Sequence, residues 1–393
     1  MLNHFDEFFE QHVKPRADLE LRDLTRSVAE PFPLAPCLWI LRTSNVILDN
    51  CANRHMYASS EHLASLLAHE DDDVALGALA VLASATRRPP GTRSSNRFRA
   101  DARMASRLAA LCAGLHDGAS KGGDEHEAAA RGANNQSVAS SATVFGQKIG
   151  ANELESGNGC DVHFEFYSEG DGATRLIAED VRAGSPMATA SELVSKHGVP
   201  DELKFTLYAR VRLAKLAATM RGAAIATQIR LSAFCVLLQS ELTAAGGDEQ
   251  GLQFIRDPSP ELVAELLRIL RLEGDGGCPP AVVELALRVL AALAGDRAHQ
   301  GGVITAMRAG GQPQVFAALV NSAVQRLTAA PSPPIGKQVG ESSLPELEVE
   351  SINAEADAPV PLAEALVALL GTLVISHGGC QTLRDVSLLP VLL

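Results

Sequence analysis

The chain has 393 residues, 46% hydrophobic but only 4% aromatic, with 34 basic against 47 acidic side chains and a formal net charge of −13. A core with so few rings must be mostly Leu, Ala and Val. That suits packed helices, where straight or small side chains lose little entropy. The acidic balance argues against nucleic acid as the main partner, because neutralising phosphates needs a basic surface.

The first helix is expected near the N-terminus, within Met1–Leu24, with Phe5, Phe8, Phe9 and Val13 at helical spacing until Pro15 interrupts it. Three Phe residues there require a partner surface. The segment is acidic and amphipathic, without the basic start and apolar run of a secretory leader. The stretch from Pro36 to Pro90 then spells a unit of three helices. In the first, about Cys37 to Cys51, apolar residues recur a heptad apart: Trp39 with Val46, Ile40 with Ile47, Leu41 with Leu48. Trp39, the single tryptophan, is expected in the core, where truncation to Ala would cost about 3–5 kcal/mol. The second is short, capped by Ser59 or Ser60, with Leu63, Leu66 and Leu67 on one face. The third follows the turn Asp71-Asp72-Asp73, in which one Asp caps and the others sit well at the positive helix end. Leu76, Leu79, Ala80 and Ala83 form its expected stripe, and Pro89-Pro90 stops it.

A further helix is read within Arg93–Leu115 from Met104, Leu108, Leu111 and Leu115. From His116 to Gly159 little can be buried, so 116–160 is expected to be a disordered insertion. Val162–Tyr167 alternates as a strand should, Gly170-Asp171-Gly172 is a turn, and Thr174–Val181 returns as a second strand. Helices resume at about Thr189. Pro200-Asp201 opens one with Leu203, Leu207, Val211 and Ala214 on a face; Gly222 separates it from the next, which is expected to run to Ala245 and close at Gly246-Gly247. Ser259-Pro260-Glu261 opens another with Leu262, Leu266 and Ile269. Pro279-Pro280 opens the next, through Leu290 to Gly295, and Pro313 a further one with Val315, Leu319 and Leu327. The stretch 331–359 carries five Glu and one Asp and reads as a disordered acidic loop. Pro361–Ile375 is the most apolar run. It contains Glu364 and is too short to span a bilayer, so a buried helix is expected and no membrane partner.

A weak repeat runs through the last third. Leu285-Ala286-Leu287 through Leu293 is echoed by Leu366-Val367-Ala368 through Leu373, and Met307-Arg308 by Leu383-Arg384. The offset is roughly twice an armadillo repeat of ~40 residues. The apolar end, Ser387–Leu393, reads as the start of another helix in a chain that is truncated or continues, because a finished array needs a polar cap. The expected fold class is all-α: an armadillo/HEAT-like helical solenoid with a small β-hairpin insertion and two disordered loops. Its expected parts are 1–115, 116–160, 161–330, 331–359 and 360–393.

Little points to chemistry. The seven cysteines, Cys37, Cys51, Cys112, Cys160, Cys235, Cys278 and Cys380, are scattered without a CxxC pair, which is a reducing-compartment pattern. None is marked by a neighbouring base or cation, so buried thiols are expected. Cys51 and His55 share a helical spacing, but no second pair follows to complete a zinc site. His62 reads as a packing or capping residue, and Asp71–Asp73 lack EF-hand spacing. Gly336-Lys337 is not a phosphate loop, and Gly170 with Gly172 is a turn, not a nucleotide fingerprint. No catalytic, cofactor-binding or metal residue is assigned, and a small-molecule ligand is not expected.

The order of several segments nevertheless resembles a known family: Phe5-Asp6-Glu7-Phe8-Phe9, Pro31-Phe32-Pro33, Leu41-Arg42, Ile47-Leu48-Asp49-Asn50-Cys51, Tyr57, Glu61-His62-Leu63 with Leu66-Leu67-Ala68, His163-Phe164-Glu165-Phe166-Tyr167 and Val211-Arg212-Leu213-Ala214. They are similar to the N-terminal helical-repeat region, of unknown function, of the giant HECT-type E3 ubiquitin ligases of the plant-like UPL class. The resemblance implies a non-catalytic scaffold that recruits substrates or adaptor proteins for a catalytic HECT domain elsewhere, in the cytoplasm or nucleus. Nothing in this chain resembles the HECT domain itself. The competing expectation is an independent armadillo/HEAT-like adaptor unrelated to ubiquitin; sequence beyond Leu393 would separate the two.

Overall fold

The computed structural model describes residues 2–13, 32–51, 60–87, 99–112, 161–168, 172–242, 260–271, 278–309, 318–324 and 359–385. They fall into two units, Met1–Glu261 and Leu262–Leu393. The described residues are helical apart from one antiparallel hairpin and one two-residue parallel pairing. The stretches read as disordered, 116–160 and 331–359, lie outside the described residues, except that Pro359 already opens a helix.

In the first unit, α1 (Leu2–His12) lays Phe5 edge-on against Trp39 and stacks Phe9 on His62, with ring centroids 5.9 and 5.7 Å apart. These rings are the partner surface its Phe residues required. The helix α2 (Leu34–Asn50) buries Cys37, Ile40, Leu41, Ser44 and Leu48, a stripe of period 3.6. Trp39 and Val46 share the opposite arc and are 58% and 61% exposed, so the expected core position of Trp39 is corrected. Heptad spacing shows which residues share a face. It does not say which face is covered, and α2 is apolar on two sides.

After α3 (Ser60–Leu66), with Leu63, Leu66 and Leu67 buried as expected, comes α4 (Asp72–Thr86). It packs between α2 and α8 (Met220–Gln239), so it buries Val74, Ala75, Ala78, Leu79, Val81, Leu82 and Ala85. The single stripe through Ala80 is corrected, because Ala80 faces solvent. Gly77 lets α2 come close: a Cβ there would lie 3.1 Å from the Leu41 side chain. Ser84 donates to Asn45 at 2.6 Å across the same contact.

Asp101 caps α5 (Ala102–Leu111) through the Met104 amide at 2.7 Å, and Met104, Leu108 and Leu111 are buried. Just before it, β1 (Arg99–Ala100) pairs in parallel with β4 (Glu241–Leu242). That pairing ends α8 at Gln239, where a helix to Ala245 was expected. The hairpin joins β2 (Asp161–Ser168) to β3 (Ala173–Asp180) in the register Phe164↔Ile177. Val162, Phe164, Phe166 and Ile177 pack on α6 (Pro186–His197) and α7 (Lys204–Ala217), against Leu193, Leu207, Tyr208 and Val211. The helix α6 begins three residues before Thr189, capped by Ser185 with Pro186 in its first turn.

Gly222 is not a separator between helices. Thr219 is the cap, accepting from the Gly222 amide at 3.0 Å, and Gly222 sits inside the first turn of α8. A Cβ there would meet the Leu216 carbonyl oxygen at 2.2 Å.

In the second unit, α9 (Pro260–Arg271) buries Leu262, Leu266 and Ile269. Two helical pairs follow: α10 (Pro280–Gly295) with α11 (Arg297–Ala309), and α12 (Pro359–Val374) with α13 (His377–Asp385). They stack like on like, α10 on α12 and α11 on α13. Arg308 donates to Thr382 Oγ1 at 3.0 Å, so the echoed sequence segments lie side by side. The corner of α8 recurs here. Ser376 donates its amide to the Leu373 carbonyl and accepts from the Gly379 amide, and a Cβ on Gly379 would again lie 2.2 Å from a carbonyl oxygen, that of Leu373. Asp296 makes the same turn after Leu293. The segment 318–324 is helical with Leu319 buried; Val315 and Leu327 lie outside the described residues.

Candidate protein-interaction surface

The polar centre of the first unit is the turn from His69 to Asp73. Asp71 Oδ1 accepts from the Asp73 and Val74 amides at 3.0 and 3.1 Å and so caps α4. Its own amide donates to His69 Nδ1 at 3.1 Å, and Phe32 lies on the His69 ring, centroids 4.5 Å apart. Asp72 Oδ1 accepts from Arg212 Nε at 3.0 Å, and the Arg212 Nη1 reaches the Leu67 carbonyl. Ser185 donates to Glu70, and Tyr208 to the His69 carbonyl. Burial pushes the Tyr208 phenol up to about 12. Asp71 and Asp72 are therefore committed to protein donors, and the turn ties α4 to α6 and α7. The expectation that capping accounts for these acids holds for Asp71; Asp72 adds an ion pair.

Arg212 was legible as a charge inside an apolar stripe, between Val211 and Leu213. Such a residue demands a buried anion, but its partner lies about 140 positions away.

Four of the thiols are placed for packing. Burial raises Cys37 to about 12, with the Asp71 charge adding to the effect. Burial also lifts Cys112 well above its ordinary value and Cys278 to about 11. A thiol held protonated is a poor nucleophile. Cys235 is buried too and accepts from Gln239. Cys51, just past the end of α2, and Cys380, on the open side of α13, are exposed, so the expectation of buried thiols is corrected at these two positions; Cys160 and His55 lie outside the described residues, as do Gly170 and Gly336-Lys337. Among the described residues no group of three His, Cys, Asp or Glu side chains is arranged to hold a metal. His62 packs on Phe9 and meets Glu10 at 3.3 Å, which is the packing role read for it.

The first unit also offers large apolar side chains outward. Trp39 and Val46 line the exposed arc of α2, beside α1, whose Glu7 and Glu10 face solvent. Tyr167 and Leu176 stand out from the hairpin. Among the described residues one helix, Arg221–Gln239, is long and apolar enough to cross a membrane, and most of it is buried against α4, α5 and α7. That packing accounts for its apolarity.

Residues 36–175, which include most of α2, the acidic turn and the first strand of the hairpin, match the model of a Domain of Unknown Function (DUF908). Across its whole length the chain is 31% identical to the E3 ubiquitin-protein ligase UPL1, and over 99% of it 32% identical to UPL2, both of Arabidopsis thaliana. The likeness is to the UPL ligases. It is the family resemblance that the sequence segments carried, to the N-terminal region of HECT-type enzymes. The chain spans about a tenth of the length of either UPL protein. Trp39 and Val46 fall within the matched domain.

Proposed function

We propose that this chain is a non-catalytic scaffold of a HECT-type ubiquitin ligase, working in the cytoplasm or nucleus to recruit substrates or adaptor proteins for ubiquitination. The observation that carries the reading is the likeness to the UPL ligases along the entire chain. The chemistry of the site agrees with it. A HECT reaction needs an activated thiolate; burial keeps Cys37, Cys112 and Cys278 as thiols, and the exposed Cys51 and Cys380 are what the adduct test below addresses. The stacked helical pairs are the packing from which an armadillo-like solenoid is built, and such an array displays helix faces in a row.

The proposed recruiting site is the ridge of Trp39 and Val46. A rigid aromatic anchor among apolar neighbours is the composition of an interface hot spot. With net charge −13 and the carboxylates of α1 alongside, it suits a basic amphipathic helix, whose binding weakens as salt screens the attraction.

The test is made in a full-length ligase that contains this chain. Deleting the region, or replacing Trp39 by Asp, is expected to reduce ubiquitination of a subset of substrates while leaving thioester formation by the catalytic domain intact. Unchanged ubiquitination of every substrate refutes the recruiting role. A reducible ubiquitin adduct on the isolated chain refutes the non-catalytic assignment.

A further inference from the structure

The hairpin has two outer edges, and they are treated differently. On β2 the Arg210 side chain of α7 lies over the Phe164 ring and donates to the His163 carbonyl. A carbonyl engaged from outside the hairpin points away from β3, so His163 and the facing Ala178 form a pair without mutual backbone hydrogen bonds. Such pairs alternate along an antiparallel ladder. Thr174, Leu176 and Ala178 therefore turn their amides and carbonyls outward from β3, and no described residue bonds to them there. All three residues are exposed, Leu176 by 62%. Neither a proline nor a bulge blunts this edge, because the register with β2 is unbroken over all eight residues.

We propose that β3 pairs antiparallel with β3 of a second copy of the chain, centred on Ile177, and joins the two hairpins into one sheet. Charge selects this partner and this register. Arg175 and Glu179 share a face and flank Ile177 symmetrically. With Ile177 opposite itself, Arg175 faces Glu179 of the second copy, and the reverse holds across the twofold axis. Leu176 and Ala178 then exchange backbone hydrogen bonds with Ala178 and Leu176 of the second copy. Centring on Leu176 sets Arg175 against Ile177 and Glu179 against Ala173. Centring on Ala178 sets Arg175 against Val181 and Glu179 against Ile177, so neither alternative pairs opposite charges. The axis stands perpendicular to the sheet, which keeps α6 of both copies on one side of it. Arg175 and Glu179 are already held by α6, through the His197 carbonyl at 3.0 Å and the His197 ring at 3.3 Å, so little side-chain freedom is lost on pairing.

Sedimentation equilibrium of the full chain, over roughly 1–100 µM, decides the matter. The expected result is a reversible dimer. Leu176→Pro removes an amide that the hairpin does not use, so it is expected to weaken the dimer at least about tenfold with an unchanged circular dichroism spectrum. Arg175→Glu and Glu179→Arg, each alone, set like charges face to face and are expected to weaken it as well. Mixed in equal amounts, the two variants present opposite charges again, and a heterodimer within about threefold of the original affinity is expected. Val367→Asp, at an exposed apolar position of the other unit, is expected to leave the dimer unaltered. A monomer throughout the range, a dimer that Leu176→Pro does not weaken, a mixture no tighter than the separate variants, or equal weakening by Val367→Asp would overturn the proposal.

Discussion

The pair between Asp72 and Arg212 gives the sharpest test of how the first unit is held together. The Arg212 side chain is 1% exposed and Asp72 is 27% exposed, with Arg212 Nε 3.0 Å from Asp72 Oδ1. Asp72→Ala leaves a guanidinium deep in the protein, with the long contact to the Leu67 carbonyl at 3.5 Å and the neighbouring Tyr208 hydroxyl remaining. Removing one partner of a fully buried pair costs about 3–5 kcal/mol. Water already reaches Asp72, so the lower part of that range applies, about 2–3 kcal/mol. Arg212→Met is cheaper, about 1–2 kcal/mol, because the carboxylate left behind can be hydrated and the methionine still fills the space. In the double variant no buried charge is stranded, so the two costs should fall short of adding by at least about 1 kcal/mol. Urea unfolding followed by circular dichroism measures all three. Asp73→Ala is the control: Asp73 shares the first turn of α4 and its dipole but is exposed, so it isolates the charge–helix effect of a few tenths of a kcal/mol. If Asp72→Ala destabilises no more than Asp73→Ala, the ion pair is not a structural tie and the reasoning fails.

The remaining predictions concern the single tryptophan and the buried thiols. Native emission should be that of a water-exposed indole, and Trp39→Ala should cost about 1 kcal/mol or less; a blue-shifted spectrum or a loss of about 3 kcal/mol would return Trp39 to the core. Cys37, Cys112 and Cys278 have an ordinary value of 9.0 that burial raises to about 12, well above that, and about 11. Below pH 9 both folded and unfolded thiols are protonated and the full stability is present. Above it the unfolded chain ionises first, so stability should fall between about pH 9 and 12. A Cys→Ser variant at all three positions should flatten that decline, and an unchanged pH profile would count against the assigned burial.

Local chemistry made much of the fold readable. Periodicity placed most helices, alternation placed the hairpin, and Asp71 was found by capping logic. The errors came where the deciding interaction is distant. The end of α8 is set by a two-residue pairing with Arg99–Ala100, invisible in a run of helix formers. The stripe of α4 was drawn too narrow because the sequence does not show that neighbours lie on two sides. Trp39 was misplaced for the converse reason: a helix apolar on both arcs leaves open which arc is covered. The likeness to the UPL ligases was legible in segment order, whereas the exposed ridge proposed as a recruiting site became visible only with the packing.

The corner shared by α7–α8 and α12–α13 has a consequence for how such a chain tolerates change. In the second case it turns the path by 119°. The bend is specified by a carbonyl, a hydroxyl and a missing methyl group, all within seven consecutive residues. None of these depends on which aliphatic side chains fill the neighbouring layers. Core residues can therefore be exchanged for others of similar volume while the direction of the next helix is preserved. A mutation at Gly222 or Gly379 acts differently: it alters an angle, and every residue carried by the following helix is displaced with it.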